Sequence, residues 1–246
     1  MSYDQHFAKL AQRYDALRRN EATDEQADRL IAAGGLAAGQ ALIDIGCGTG
    51  AMTALLVRRS GVEATGVDAS EEMLEVARSR EGEHCRFVHG RAEELPFAEG
   101  SFDRALMKLV IHLVDRPRAL AEARRVLRHD GALVISTLDP ESMGGFWLAD
   151  WFPSYADIDR GRVPAPEVLV ADLREAGFAR VQVTSVPTSR ELPREHALEM
   201  IRGRFASSFA HIGDAEYEAG LARAERELPE TVVSELTLLE LRCDTR

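Results

Sequence analysis

The 246 residues carry a formal net charge of -11, with 45% hydrophobic and 29% charged side chains, a balance that supports one sizeable core and argues against two independent domains. No apolar run approaches the roughly 18 residues of a membrane span, and the first residues, MSYDQHFAKLAQRYDALRRN, lack an export signal, so a soluble, cytoplasmic chain without a membrane partner is expected. The acidic balance disfavours free nucleic acid, while Cys47, Cys85 and Cys243 are too few and too irregular for a disulfide framework or a zinc site, so no metal is implied.

Residues 3–19 place Phe7, Leu10, Ala11, Tyr14 and Leu17 at helical spacing, and 23–33 continue as a second helix behind Thr23 as N-cap. The apolar run ALIDI (41–45) reads as a buried strand feeding a helix at 51–59. The alternation then repeats: strand 63–68, helix 70–80, strand 85–90, a loop at 91–101, strand 102–108, helix 117–128 and strand 132–138. Apolar strands alternating with helices predict a mostly parallel sheet covered on both faces, an α/β, Rossmann-like class. Residues 139–164 gather Trp147, Trp151, Phe152 and Tyr155 among Gly and Pro, which predicts a partly helical lid. A helix at 166–177 ends on Gly177, a strand follows at 179–186, and a long helical segment runs from about 193 to 228 with a break at 213–214. Strand 231–243 closes the chain. The whole reads as one domain with N-terminal helices at 3–33, a core at 41–138, and lid insertions at about 139–164 and 190–229.

In an open α/β sheet the ligand sits beyond the carboxyl ends of the strands, where the first strand-to-helix turn lies. Here that turn is 46–50, and Gly46, Gly48 and Gly50 remove the Cβ atoms that would hold a ligand off the backbone. The spacing is G-x-G-x-G rather than the G-x-G-x-x-G of a pyrophosphate site. Asp44, inside the strand, would repel a pyrophosphate and suits an ammonium instead. Asp68 ends the second strand, at the position where an acid accepts the hydroxyls of a ribose. An adenosine that carries an amino acid satisfies both carboxylates. A nicotinamide-dependent oxidoreductase is the alternative on these residues, and a tRNA-modifying enzyme is another.

LIDIGCGTG followed by GVDASEEML, RAEELPFAEGSFD and RRVLRHDGALVIS resembles the class I S-adenosylmethionine-dependent methyltransferases, specifically the small-molecule enzymes similar to those of ubiquinone and menaquinone biosynthesis. The match covers about residues 7–138. It implies S-adenosyl-L-methionine as cofactor, S-adenosyl-L-homocysteine as product, and a seven-stranded sheet whose last strand is antiparallel and inserted beside strand five. By motif match, Gly46, Cys47 and Gly48 touch the methionine part, Asp68 the ribose, and Ala69 and Met73 the adenine. Ala92 and Glu93 take the adenine edge, with Arg91 standing where many relatives carry Asp, and Lys108 offers mainly its backbone. The resemblance of YDALR to the family's Y-D-x-x-R element places Tyr14 and Arg18 over the methionine carboxylate.

Methyl transfer is a displacement on a sulfonium that needs alignment and a poorly hydrated site more than a base. His112, just past the fourth strand, is a candidate base for an acidic acceptor. The acceptor pocket is expected from Tyr3, His6 and Phe7, from Trp147, Trp151, Phe152 and Tyr155, and from Arg202, Phe205 and Phe209. That clustering of rings points to a flat, heteroaromatic small molecule methylated on N, O or C, by a monomer or homodimer.

Overall fold

The computed structural model describes residues 3–18 and 22–246, with side chains from Gln5 onward. The chain opens with α1 (Tyr3–Leu10), a 3₁₀ turn and the short α2 (Tyr14–Leu17), so the predicted first helix is broken in its middle. Helix α3 (Asp24–Gly34) starts where Thr23 Oγ1 accepts the Gln26 N–H and stops at Gly35 in the left-handed region. Alternating strands and helices follow: β1 (Ala41–Ile45) with α4 (Ala51–Ser60), β2 (Glu63–Asp68) with α5 (Glu71–Arg78), then β3 (Cys85–His89) with no helix after it, and β4 (Phe102–Lys108) with α6 (Arg116–Val126) and β5 (Leu127–Leu138).

The second half holds α7 (Tyr155–Arg162) after two 3₁₀ turns, α8 (Pro166–Glu175), β6 (Arg180–Pro193), α9 (Arg194–Arg202), α10 (Asp214–Glu227) and β7 (Thr231–Asp244). The sheet order is β3-β2-β1-β4-β5-β7-β6. The first five strands pair in parallel, and β7 is antiparallel to both β5 and β6. A seven-stranded mixed sheet with an antiparallel β7 beside strand five is what the motif resemblance implied. Strand order reverses between β1 and β4, which places the β1–α4 turn at the switch point where ligands bind.

The parallel strands are apolar because both faces are covered. Ile43, Ile45, Met107, Leu133 and Ile135 are buried on one side with α6 and α8 side chains, and Leu42, Leu106 and Val134 on the other with α3 and α4. A separate apolar cluster holds the lid together: Phe146, Trp147, Phe152, Tyr155, Phe205 and Phe209 with residues of α1, α9 and α10.

Three boundaries differ from the sequence reading. Strand β6 runs to Pro193 instead of ending at 186, in register with β7 through Pro193↔Thr231. As an edge strand it is largely exposed, so its polar sequence carries no apolar alternation to reveal it. The long helical segment breaks between Arg202 and Asp214, around a 3₁₀ turn at Ser207–Ala210, rather than at 213–214 alone. Strand β5 also begins five residues earlier than the apolar run, because Leu127 already pairs with Phe102.

Candidate functional site

The β1–α4 turn forms the floor of a cavity of about 340 Å³. Gly46 has φ +76°, and a Cβ there would meet Val110 Cγ2 at 2.5 Å, so this glycine is demanded by close packing. Gly48 has φ +56°, and a Cβ there meets nothing within 4 Å. The space over Gly48 is cavity, which it lines, so its bare backbone serves whatever fills that cavity.

Two carboxylates stand beside this floor. Asp68 Oδ2 accepts the Gly48 N–H at 2.8 Å and Oδ1 accepts the Ser70 N–H at 2.9 Å, which fixes the carboxylate at the cavity's edge. Asp44 is 2% exposed, and its Oδ2 accepts the Thr53 hydroxyl at 2.5 Å. Burial pushes the Asp44 carboxyl up to about 6, against the opposing hydrogen bond from Thr53 and the charge of Lys108. This buried acid lies on the cavity wall. At the other end, Glu93 accepts the Asp115 N–H through Oε1 at 3.0 Å, while its buried Oε2 has no hydrogen-bond partner. Its Oε2 lies 3.3 Å from Arg91 Nε.

Tyr14 and Arg18 come from α2 and its end. Arg18 Nη1 donates to the Tyr14 hydroxyl at 2.5 Å, and the guanidinium lies 5.1 Å from the Tyr14 ring centre. Leu109, directly after β4, has φ +56°, an uncommon conformation for a leucine, and its N–H donates to Ser136 O at 2.7 Å. This turn aims Leu109 and Leu113 at the same space. Tyr14, Arg18, Asp44, Gly46, Cys47, Gly48, Asp68, Ala69, Met73, Arg91, Ala92, Glu93 and Lys108 all line this one cavity. Burial raises the Cys47 thiol well above its ordinary range, so it is no thiolate nucleophile.

A second cavity of about 380 Å³ adjoins the first. Phe7, Tyr14, Arg18, Lys108, Leu109 and Leu113 line both. Its lining mixes apolar side chains, Leu138, Met143, Phe146, Leu236 and Leu238, with polar ones, His112, Asp159, Arg162, Arg190, Ser207 and Ser208. Arg162 Nη2 donates to Asp159 Oδ1 at 2.6 Å and to the Ser207 and Ser208 hydroxyls at 2.8 Å. Ser208 in turn donates to Asp159 at 2.7 Å. This web joins α7 to the 3₁₀ turn that follows α9. His112 Nδ1 is buried without a hydrogen-bond partner, and burial, with Arg162 and Arg18, pulls the imidazole down to about 3.

The acceptor residues expected from sequence divide. Phe7, Tyr155 and Phe205 line the second cavity with His112. Trp147, Phe152 and Phe209 do not; they are 4%, 0% and 1% exposed inside the lid's own core. Trp151 packs against that core under the Arg223 guanidinium, 5.0 Å from its ring. Arg202 faces outward and pairs with Glu225 at 2.8 Å. His6 is buried against Phe7 outside the cavity lining, and its imidazole is lowered to about 4 by burial. The Tyr3 side chain lies outside the described residues. Rings that must cover one another cannot all cover a ligand, and composition alone does not separate the two uses.

Several lining residues were not singled out from sequence. Asp15, Thr49 and Arg80 line the first cavity; Asp15 sits inside the YDALR element and Thr49 inside the glycine turn, so both had a signal, while Arg80 had none. Arg162 and the two serines gave no motif.

A family described as a methyltransferase domain matches residues 43–135. The chain is 31% identical over 221 residues to the 27-O-demethylrifamycin SV methyltransferase of Amycolatopsis mediterranei, covering 82% of this chain and 77% of that one. It is 33% identical over 180 residues to O-methyltransferase cnsE of Penicillium expansum, covering 68% of this chain and 64%, just under two thirds, of that protein's length. The solved structure of Haemonchus contortus phosphoethanolamine N-methyltransferase 2 superposes with a TM-score of 0.66 at 19% identity, over 99% of this chain and 60% of that one, a likeness of fold. Among the described residues no helix is long and apolar enough to cross a membrane, and no cluster of metal-ligating side chains occurs.

Proposed function

The chain belongs to the class I S-adenosylmethionine-dependent methyltransferases, and from that premise we propose that it transfers a methyl group to a small molecule held in the second cavity. The observation that carries this reading is the contiguity of the two cavities through six shared residues. One cavity has the carboxylates and open glycine floor suited to an adenosine bearing an amino acid; the other has a mixed wall suited to an acceptor.

The residues present fit the cofactor. Asp68 presents its carboxylate at the cavity where ribose hydroxyls would lie, Asp44 is a buried acid beside the space for an ammonium, and Tyr14 and Arg18 line the same space as a receptor for a carboxylate. Ala69 and the buried Met73 provide apolar surface for an adenine face, and the Glu93 carboxylate, ion-paired with Arg91, lines the same cavity as a candidate acceptor for the adenine amino group. When bound, S-adenosylmethionine supplies a methyl carbon to which the acceptor's lone pair bonds as the carbon–sulfur bond breaks and sulfur keeps the electron pair. The protein's part is to align the two partners across the shared rim and to exclude water with Phe7, Leu109 and Leu113.

Calorimetric titration of the purified chain with S-adenosylhomocysteine and, separately, NAD tests the reading. Saturable heat from S-adenosylhomocysteine and none from NAD is expected. Heat from NAD alone would overturn it in favour of a nicotinamide enzyme.

A further inference from the structure

We propose that the acceptor is an uncharged molecule, an apolar body bearing hydroxyl or carbonyl oxygens, and that Ser234 and Ser207 select it by hydrogen bonding. This rests on the methyltransferase reading and adds to it the chemical class of the acceptor and two specificity residues. Ser234 lies on β7, where the two-residue period of a strand puts its side chain on the face of Leu236 and Leu238, and the three line the second cavity together. It is 4% exposed, and its hydroxyl has no hydrogen-bond partner among the described residues. The neighbouring hydroxyl on the same face differs. Thr188, opposite Leu236 on β6, donates to the Leu236 carbonyl at 2.6 Å, so its hydrogen bond is made within the sheet. A buried hydroxyl that lines a cavity and pairs with nothing in the protein leaves its hydrogen bond to what enters that cavity.

Ser207 repeats the pattern from another element. It opens the 3₁₀ turn after α9, is 8% exposed and lines the same cavity. Its oxygen accepts from Arg162 Nη2 at 2.8 Å, while its own proton has no acceptor among the described residues. A hydroxyl whose oxygen already accepts from a guanidinium is a stronger donor. Both serines therefore offer a proton, and the group that receives one is an oxygen lone pair.

The charges of the lining are committed elsewhere. Arg162 pairs with Asp159 at 2.6 Å, and Arg29 with Glu25 at 3.2 Å and Glu240 at 3.4 Å; Arg18, Lys108 and Arg190 are likewise engaged. A charged acceptor would give up its hydration here without gaining an unspent counter-ion, whereas an uncharged one gives up little. Leu138, Met143, Phe146, Leu236 and Leu238 then cover its apolar body, and the two serines take its oxygens.

The test uses the full chain saturated with S-adenosylhomocysteine, so that cofactor binding is established first; no heat at that stage overturns the parent reading and this proposal with it. The probes share one skeleton and are followed by calorimetry at neutral pH: 2,7-dihydroxynaphthalene and 2-naphthol, both uncharged, 2-naphthoate as the anion and 2-(aminomethyl)naphthalene as the ammonium. The expected order is the diol first, then the naphthol, with both charged probes behind. Ser234→Ala should weaken the diol roughly tenfold, the order of one hydrogen bond, without lowering the melting temperature or the affinity for S-adenosylhomocysteine, because the hydroxyl it removes bonds nothing in the fold. Ser234→Thr keeps a hydroxyl and should keep most of the affinity. Ser207→Ala should weaken the same probe, and Ser207→Thr, which keeps an oxygen for Arg162, should not. With S-adenosylhomocysteine bound, three results overturn the proposal and leave the parent reading standing: a charged probe that binds as well as the diol, no binding of the diol, or a diol affinity unchanged in Ser234→Ala, which would mean that water satisfies that hydroxyl.

Discussion

Asp15 and Arg80 meet at 2.5 Å, with Arg80 Nη2 donating to Asp15 Oδ2, and this ion pair ties α2 to the segment after α5 beside the first cavity. Thr49 of the glycine turn completes the clasp, its hydroxyl donating to Asp15 Oδ1 at 2.6 Å while its carbonyl accepts from Arg80 Nη1 at 3.0 Å. The helix so fastened carries Tyr14 and leads into Arg18. Asp15 and Arg80 are 38% and 29% exposed, so the pair contributes at most about 1 kcal/mol to stability. Its effect should be on how long α2 stays over a bound ligand. Asp15→Ala is expected to raise the dissociation rate of S-adenosylhomocysteine severalfold in stopped-flow displacement, with the melting temperature almost unchanged. Exchanging the two charges, Asp15→Arg with Arg80→Asp, should restore slow release. An unchanged rate in the single variant would mean that apolar contacts alone hold α2.

The first cavity was legible in the sequence because its parts are local: a strand end, a turn and the next strand end place Gly46, Gly48, Asp44 and Asp68 together through β-α connectivity alone. The clasp was half legible, since Asp15 and Thr49 lie within recognisable stretches but Arg80 joins them only through tertiary packing. The acceptor side was least legible. Phe152 and Phe205 look alike in sequence, yet one is stacked inside the lid and the other faces a cavity. Arg162 reaches its role through Ser207 and Ser208, about 45 residues away along the chain. Strand β6 was shortened in prediction because an edge strand needs no apolar face.

The two neighbouring glycines of the turn should respond differently to alanine. At Gly46 the new methyl meets Val110 at 2.5 Å with φ at +76°, so overpacking and backbone strain add to roughly 2–4 kcal/mol. At Gly48 the methyl meets no protein atom, and the cost to the fold is about 1 kcal/mol from the left-handed backbone. Urea titration should therefore rank Gly46→Ala as the less stable variant. Calorimetry should show Gly48→Ala losing S-adenosylhomocysteine affinity by tenfold or more while it stays folded. Full affinity in Gly48→Ala would show that nothing approaches that backbone.

Phe152 separates lid stability from ligand contact. It is 0% exposed, stacks on Tyr217 at 6.2 Å and meets Phe209 edge-on at 5.1 Å. A Cβ at Gly220 would come within 2.4 Å of its ring, so α10 is held close to it. Phe152→Ala should cost about 3–5 kcal/mol, read as an earlier denaturation midpoint. S-adenosylhomocysteine affinity, measured below that midpoint, should remain close to that of the parent. Selective loss of ligand affinity with unchanged stability would return Phe152 to the pocket.

Asp44 makes cofactor binding depend on pH in a stated direction. Its carboxyl is raised from 3.8 to about 6 in the ligand-free fold by burial, so ionising it there costs about 3 kcal/mol relative to the unfolded chain. Because the folded value lies above the unfolded one, this contribution to stability is fully present below about pH 4 and is lost as pH rises through 6. Asp44→Asn should accordingly match or exceed the parent in stability at neutral pH and lose that advantage near pH 4. A ligand ammonium beside the carboxylate reverses the preference and returns the group to its ionised form, so binding releases a proton below pH 6. The dissociation constant for S-adenosylhomocysteine should then rise as pH falls below 6, approaching tenfold per unit, and level off above it. In Asp44→Asn the same titration should be flat and weaker throughout. A parent affinity independent of pH between about 5 and 7 would remove Asp44 from the ammonium site, whatever its role in the fold, because a cation placed beside this buried acid cannot leave its titration unchanged.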